Sequence, residues 1–130
     1  MTPTSNDPTL AVVRLRRARR VLLTCHRNPD GDAIGSELAL AELASSFGVE
    51  SVIVNRDPAP VTLSELPGVG TVMVAETLPD DFPEGYDLVI TVECPELERA
   101  GFNGLDPVSY THLRAHETNN SIAYAVFCLK

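Results

Sequence analysis

The chain has 130 residues, 44% of them hydrophobic, and a formal net charge of −8. That length fits one domain or part of one, the composition excludes a disordered chain, and the acidic balance argues against a general nucleic-acid coat protein while leaving a nucleotide enzyme open, because bound cations reverse the local potential. No apolar run approaches the roughly 20 residues a membrane helix needs, and the polar start over residues 1–7 lacks the apolar core of a signal peptide, so a cytoplasmic protein without membrane attachment is expected.

The spacing predicts a first helix over 8–20, with Asp7 as N-cap and Pro8 at the first helical position. Leu10, Val13 and Arg17 share one side of it. Arg14, Arg16, Arg19 and Arg20 crowd the remainder, a pattern read as a solvated face with phosphate contact as the alternative. Val21 to Cys25 reads as a buried strand. His26 follows, then Asp30 and Asp32 on either side of Gly31. A second helix is expected from Ala33 to Phe47, with Ile34, Leu38, Leu40, Ala41 and Ala44 among its apolar positions and Gly48 as its stop. Val49 to Asn55 reads as a second strand. A Pro-rich connection over 56–70, with one helical turn at Ser64 to Leu66, leads to a short third strand at Thr71 to Ala75. After an acidic loop from Leu78 to Gly85, Asp87 to Cys94 reads as a fourth strand, apolar enough to be central and covered on both faces. The cysteines, Cys25, Cys94 and Cys128, are odd in number and lack Cys-x-x-Cys spacing, which fits a reducing compartment. Cys25 and Cys94 read as small core residues.

This order of elements predicts an α/β fold, a mostly parallel sheet with flanking helices. The first and fourth strands, the most apolar, should be central neighbours, with their C-terminal ends facing one crevice, where open α/β sheets place their sites. His26, Asp30 and Asp32 leave one strand there and Glu93 the other. Imidazole and carboxylate donors together suit Mn, Fe or Zn. A two-metal phosphoesterase needs several carboxylates, one of them bridging, with ions about 3.5–4 Å apart. Gly31 and Gly35 are expected where the backbone approaches a neighbour closely, and Asn28-Pro29 should make a tight extended turn. Plainer roles compete: His26 bonded to backbone at a strand end, Asp30 as a turn residue, Asp32 as the N-cap of the second helix, Glu93 as a surface strand end, and Ser36 as a packed small residue rather than a phosphate contact.

The run His26-Arg27-Asn28-Pro29-Asp30-Gly31-Asp32-Ala33-Ile34-Gly35-Ser36 resembles the first motif of the DHH phosphoesterases, most nearly their bacterial oligoribonuclease/pAp phosphatase branch. Leu88 to Cys94, followed by Glu98-Arg99-Ala100-Gly101, resembles that family's second motif. The likeness covers about residues 8–106. It implies that His26, Asp30 and Asp32 form the catalytic centre: His26 and Asp30 bind a first Mn²⁺, and Asp32 binds a second. Glu93 stands where the family usually has a bridging aspartate. The implied activity is hydrolysis of phosphoester bonds in short RNA oligonucleotides or in the nucleotide bisphosphate pAp, through water activated at two metals.

The last stretch changes character. Val108 to Thr118 resembles an in-frame translation of a transposase adapter used in DNA library preparation. Ile122 to Lys130 resembles the outer adapter segment in the same frame, departing at Ala123, where serine would be read. On this reading residues 1–107 are the N-terminal part of a DHH phosphoesterase domain and 108–130 a non-native tail, whose Tyr110, His112, His116, Tyr124 and Cys128 carry no function. The Asp-His-His motif, the fourth-motif aspartate and the C-terminal substrate domain are then missing, so the chain itself is expected to be inactive. A non-catalytic nucleotide- or metal-binding α/β module and an inert sequencing chimera are the alternative readings.

Overall fold

Strict alternation sets the two faces of the central strands. In β1 (Arg20–Cys25), Val21, Leu23 and Cys25 join one apolar cluster and Leu22 joins the other, all fully buried. In β4 (Leu88–Val92), Leu88, Ile90 and Val92 likewise face one way and Val89 the other. Both strands are covered on both sides, which is why they read as continuous apolar runs. A computed structural model gives the chain's structure and describes residues 8–93, 97–103, 105, 110–114 and 124–129.

With β2 (Glu50–Asn55), β3 (Val72–Val74), β5 (Tyr110–Arg114) and β6 (Tyr124–Leu129), the sheet order is β3-β2-β1-β4-β6-β5. The first four are mutually parallel, with Leu23 level with both Ile53 and Ile90. This is the expected α/β architecture, with β1 and β4 adjacent at the centre. From the sequence, 108–130 reads as a non-native tail with no strand assigned to it. Instead β6 pairs antiparallel with β4, and β5 with β6, so the edge of β4 is occupied. Cys94, His116 and Ala123 lie outside the described residues. Among the described residues no helix is long and apolar enough to cross a membrane.

Helices α1 (Pro8–Arg17) and α2 (Gly31–Ser46) cover one face of the sheet, through Leu15, Ala33 and Ala44. The other face is covered without a long helix. Tyr86, Ala100, Phe102 and Leu105 pack on Leu22, Val54 and Val89, with Leu78 and Phe82 at the margin.

Helix α1 stops three residues earlier than its pattern suggests. The Asp87 carboxylate accepts the backbone N–H groups of both Arg19 and Arg20, each at 2.9 Å, and draws the chain out of the helix into β1. Its buried contact is Leu15, at 2% exposure, while Arg17 is exposed. Arg14, Arg16 and Arg19 are exposed, as a solvated face requires, and Arg17 joins them. Arg20 lies over the Tyr86 ring at 4.5 Å and pairs with Glu50 and Asp81. Helix α2 ends as its glycine requires, with Gly48 at φ 75°. The helical turn expected at Ser64 to Leu66 appears instead as 3₁₀ turns at Val61–Leu63 and Val69–Thr71.

One fully buried polar side chain, Glu37, shares the sheet-facing stripe of α2 with Ala33, Ile34 and Ala44. Asn55 Nδ2 donates to its Oε1 at 2.8 Å, and Oε2 finds no partner among the described residues. Burial pushes the Glu37 carboxyl up to about 7, against the opposing pull of the Asn55 and Cys25 hydrogen bonds. The folded chain therefore holds a proton that the unfolded chain has released between the ordinary carboxylate range and neutrality. The resulting stabilisation is complete at low pH and is lost as pH rises through about 7, with a total on the order of 3 kcal/mol. Glu37→Gln should abolish this fall while keeping the Asn55 contact. Urea unfolding at about pH 5 and about pH 8 measures it. Equal pH dependence in both proteins would show that Glu37 ionises without penalty.

Candidate metal centre

The connection leaving β1 runs through α2 to β2 on one side, while β4 lies on the other. The crevice beyond the C-terminal ends of β1 and β4 is thus a topological switch point, the place where such sheets bind ligands. Because Cys25 is level with Val92, the residues that follow each of them, His26 and Glu93, emerge side by side. Asp30 reaches the same spot from the start of α2. One donor atom each from His26, Asp30 and Glu93 lie within 4.8 Å of one another.

Each of the three is positioned by local structure. His26 Nδ1 lies 2.7 Å from the Arg27 carbonyl oxygen, so Nδ1–H donates there and the Nε2 lone pair remains for an ion. Asp30 is the N-cap of α2, accepting the Ala33 N–H on Oδ1 at 2.9 Å and leaving Oδ2 for a ligand. The plainer role weighed for Asp32, helix N-cap, belongs to Asp30. The cap falls two residues earlier because α2 begins at Gly31, which places Asp32 in the first turn. Glu93 directly follows β4 with φ 51°, a left-handed conformation that costs a non-glycine residue about 1–2 kcal/mol. Such strain persists where the surroundings over-determine it, as at ligand sites.

The turn between His26 and Asp30 is not the extended one expected before proline. Asn28 adopts φ 54°, and Asp57 Oδ2 accepts its N–H at 2.9 Å. Asparagine tolerates this region better than most residues. Gly31 and Gly35 face open space, with nothing within 4 Å of an added Cβ, so the expected close backbone approach is absent among the described residues. Ser36 is buried, at 8% exposure, as a packed residue would be.

Asp32 is exposed and stands outside the three-donor group. It is still near enough to matter electrostatically. Desolvation, then the Asp30 and Asp32 charges, push the Glu93 carboxyl up, and His26 pulls it down. Glu93 Oε2 is buried and has no partner among the described residues. A buried acceptor without a donor among the described residues, grouped with one further carboxylate and an imidazole nitrogen, is what a divalent cation would satisfy, and the nitrogen-oxygen donor set suits Mn, Fe or Zn.

The pattern of the sequence points to all three grouped residues and to Asp32. It does not mark Glu37, although the i, i+4, i+7 spacing of 37 with Ala41 and Ala44 puts it on the buried stripe. Asp57, which holds the turn, carries no sequence signal.

Asp30 caps α2, and the ligand role that the motif implies for it can be tested apart from the cap. Asp30→Asn should leave stability within a few tenths of a kcal/mol, because asparagine caps as well as aspartate, whereas Asp30→Ala should cost about 1 kcal/mol. Both should weaken Mn²⁺ binding at least tenfold. Thermal unfolding together with metal titration followed by electron paramagnetic resonance separates the two effects. Unaltered Mn²⁺ affinity in Asp30→Asn would remove Asp30 from the ligand set.

Comparison with known proteins gives the same placement. A family model described as the DHH family, N-terminal domain, matches residues 20–125. The crystal structure of an exopolyphosphatase-related protein from Bacteroides fragilis is similar in fold, with a TM-score of 0.59 at 23% identity. The match covers 71% of this chain and 28% of that one, so the chain spans less than a third of its neighbour's length. With β1, α2, β4 and the grouped donors all inside the matched range, the chain belongs to the DHH family, of which it carries the N-terminal domain.

Proposed function

We propose that this chain is the metal-holding part of a Mn²⁺-dependent phosphoesterase whose whole protein hydrolyses short oligoribonucleotides or pAp. The observation that carries the reading is the grouping of His26, Asp30 and Glu93 at the switch point of a DHH-family sheet. Membership of that family supports metal-dependent phosphoester chemistry. His26, Asp30 and Glu93 would hold a first ion, and Asp32, on the adjoining turn of α2, would serve a second. When bound, such ions polarise phosphoryl oxygens and acidify water near neutral pH.

The chain's own residues prepare the site. The Nδ1–H donated to the Arg27 carbonyl fixes the imidazole tautomer and ring plane. The Ala33 N–H holds the Asp30 carboxylate in place. The N-terminus of α2 adds the positive end of its dipole beside an incoming phosphate. In this reading no residue of 108–130 takes part.

A second reading, a binding module without turnover, draws support from the three-donor group, which leaves Asp32 outside.

The test assays the uninterrupted genomic reading frame beyond Asp106 with Mn²⁺ against pAp, short RNA and, because the similar Bacteroides protein is described as exopolyphosphatase-related, inorganic polyphosphate. The expected result is Mn²⁺-dependent release from pAp or RNA, reduced at least about 100-fold in His26→Ala, of the order expected for loss of an essential group. Release from polyphosphate alone would overturn the nucleotide assignment. Tight Mn²⁺ binding without release from any substrate would favour the binding module.

A further inference from the structure

Beside the three donors, and not among them, two arginines converge on one glycine. Arg27 directly follows His26, and Arg56 leaves the neighbouring strand β2 at the same end of the sheet. Gly101, just past the 3₁₀ turn Leu97–Ala100, lies against both stems. A Cβ built on it would stand 3.0 Å from Arg27 Cγ and Cδ and 3.0 Å from Arg56 Cγ. Its φ of 85° also disfavours any side chain. The Arg27 N–H donates to the Arg99 carbonyl oxygen at 3.0 Å, which ties this turn to the end of β1. The glycine of the second motif thereby acquires a physical reason: it is the floor on which two guanidinium stems rest.

Among the described residues neither guanidinium is firmly engaged. Arg27 Nε is 3.6 Å from Asp57 Oδ2, beyond hydrogen-bonding distance, and that oxygen already accepts the Asn28 N–H at 2.9 Å. Arg56 Nη2 is 3.7 Å from Glu76 Oε1, and Glu76 is 85% exposed. Ion pairs this long, each with one largely exposed partner, contribute little and rearrange readily. The Arg27 side chain is itself 55% exposed. The site thus presents carboxylates at Asp30, Asp32 and Glu93 toward β4 and α2, and two loosely held guanidinium groups on the other side of His26. Planar guanidinium forks suit phosphate oxygens.

We infer that Arg27 and Arg56, seated over Gly101, form a clamp for a second phosphate of the substrate, distinct from the phosphate attacked at the metal centre. The inference rests on the proposed phosphoesterase reading and deepens it. It selects substrates that carry at least two phosphates, whether the second is the terminal phosphate of a nucleotide bisphosphate or the next linkage of an oligonucleotide. It also assigns Arg27 and Arg56 to affinity rather than to the chemical step.

The 130-residue chain serves for the test. Calorimetry with Mn²⁺ present compares pAp with AMP for the wild type, Arg27→Gln and Arg56→Gln, while electron paramagnetic resonance follows Mn²⁺ binding in the same samples. The wild type should bind pAp about tenfold or more tighter than AMP. Each substitution should remove about tenfold of the pAp affinity, the scale of one charge-assisted contact, and leave AMP and Mn²⁺ affinities within about twofold. A metal-free arm follows inorganic phosphate by phosphorus NMR and should show the same dependence on both arginines. Gly101→Ala, with its melting temperature checked, should mimic the arginine variants by displacing both stems. Mn²⁺ bound normally with pAp affinity indifferent to Arg27 and Arg56, or with pAp and AMP weakened equally, overturns the clamp and leaves the metal reading standing. Absent Mn²⁺ binding with arginine-dependent phosphate binding in the metal-free arm overturns the metal reading and leaves the clamp.

Discussion

The parallel ladder between β1 and β4 is the constraint on which the remainder depends. Its register, Val21 with Leu88 through Cys25 with Val92, brings His26 and Glu93 out at one level although 67 positions separate them in the chain. A shift of one residue would turn Val21, Leu23 and Cys25 away from the helices and carry His26 away from Glu93. The same ladder is buried on both faces, so the apolar contacts that hold the core also hold the donors in place. Helix α2 then adds Asp30 from one side of the sheet, and the turn ending at Gly101 closes the other.

Much of the local chemistry is shared between folding and binding. Asp30 terminates the helix with one oxygen and leaves the other for a ligand. His26 gives one ring nitrogen to the backbone and keeps the second. Asp57 pins the left-handed Asn28 and partly balances Arg27. Such double use makes the turn rigid with few residues, and rigidity is what keeps a donor group from collapsing into local hydrogen bonds. Glu93 is the member left without compensation. Its backbone is left-handed, desolvation and the Asp30 and Asp32 charges raise its carboxyl, and its Oε2 lacks a partner among the described residues.

The electrostatic layout gives the crevice a direction. Carboxylates cluster between β4 and α2, and guanidinium groups lie toward β2. A ligand bearing both metal-seeking and guanidinium-seeking phosphates has one orientation that satisfies both. The five arginines around α1, by contrast, precede the opposite end of β1. Arg20 there is committed to Tyr86, Glu50 and Asp81, and Arg16 lies over Phe47. Their density in the sequence therefore says little about the site.

Local sequence pattern is enough for the α/β class and the central pair of strands, and it singles out the first-motif residues His26, Asp30 and Asp32. These follow from periodicity, from apolar runs and from a contiguous motif, all of which are local. It also marked Glu93, because an acid at the end of an apolar strand is conspicuous. Local pattern does not decide the helix cap, since Asp30 and Asp32 are equally good caps and only the entry angle of the chain chooses between them. It overran α1, because Asp87, far along the chain, captures the N–H groups of Arg19 and Arg20. It set aside the final stretch, yet that stretch supplies two strands, because an unpaired edge at β4 accepts any extended segment with free backbone groups. Relations between distant residues emerge only in the folded chain: Glu37 with Asn55, Asp57 with Asn28, and Gly101 beneath Arg27 and Arg56. Such contacts have no periodicity to betray them, and they exist only once the register of β1 against β2 and β4 has been set.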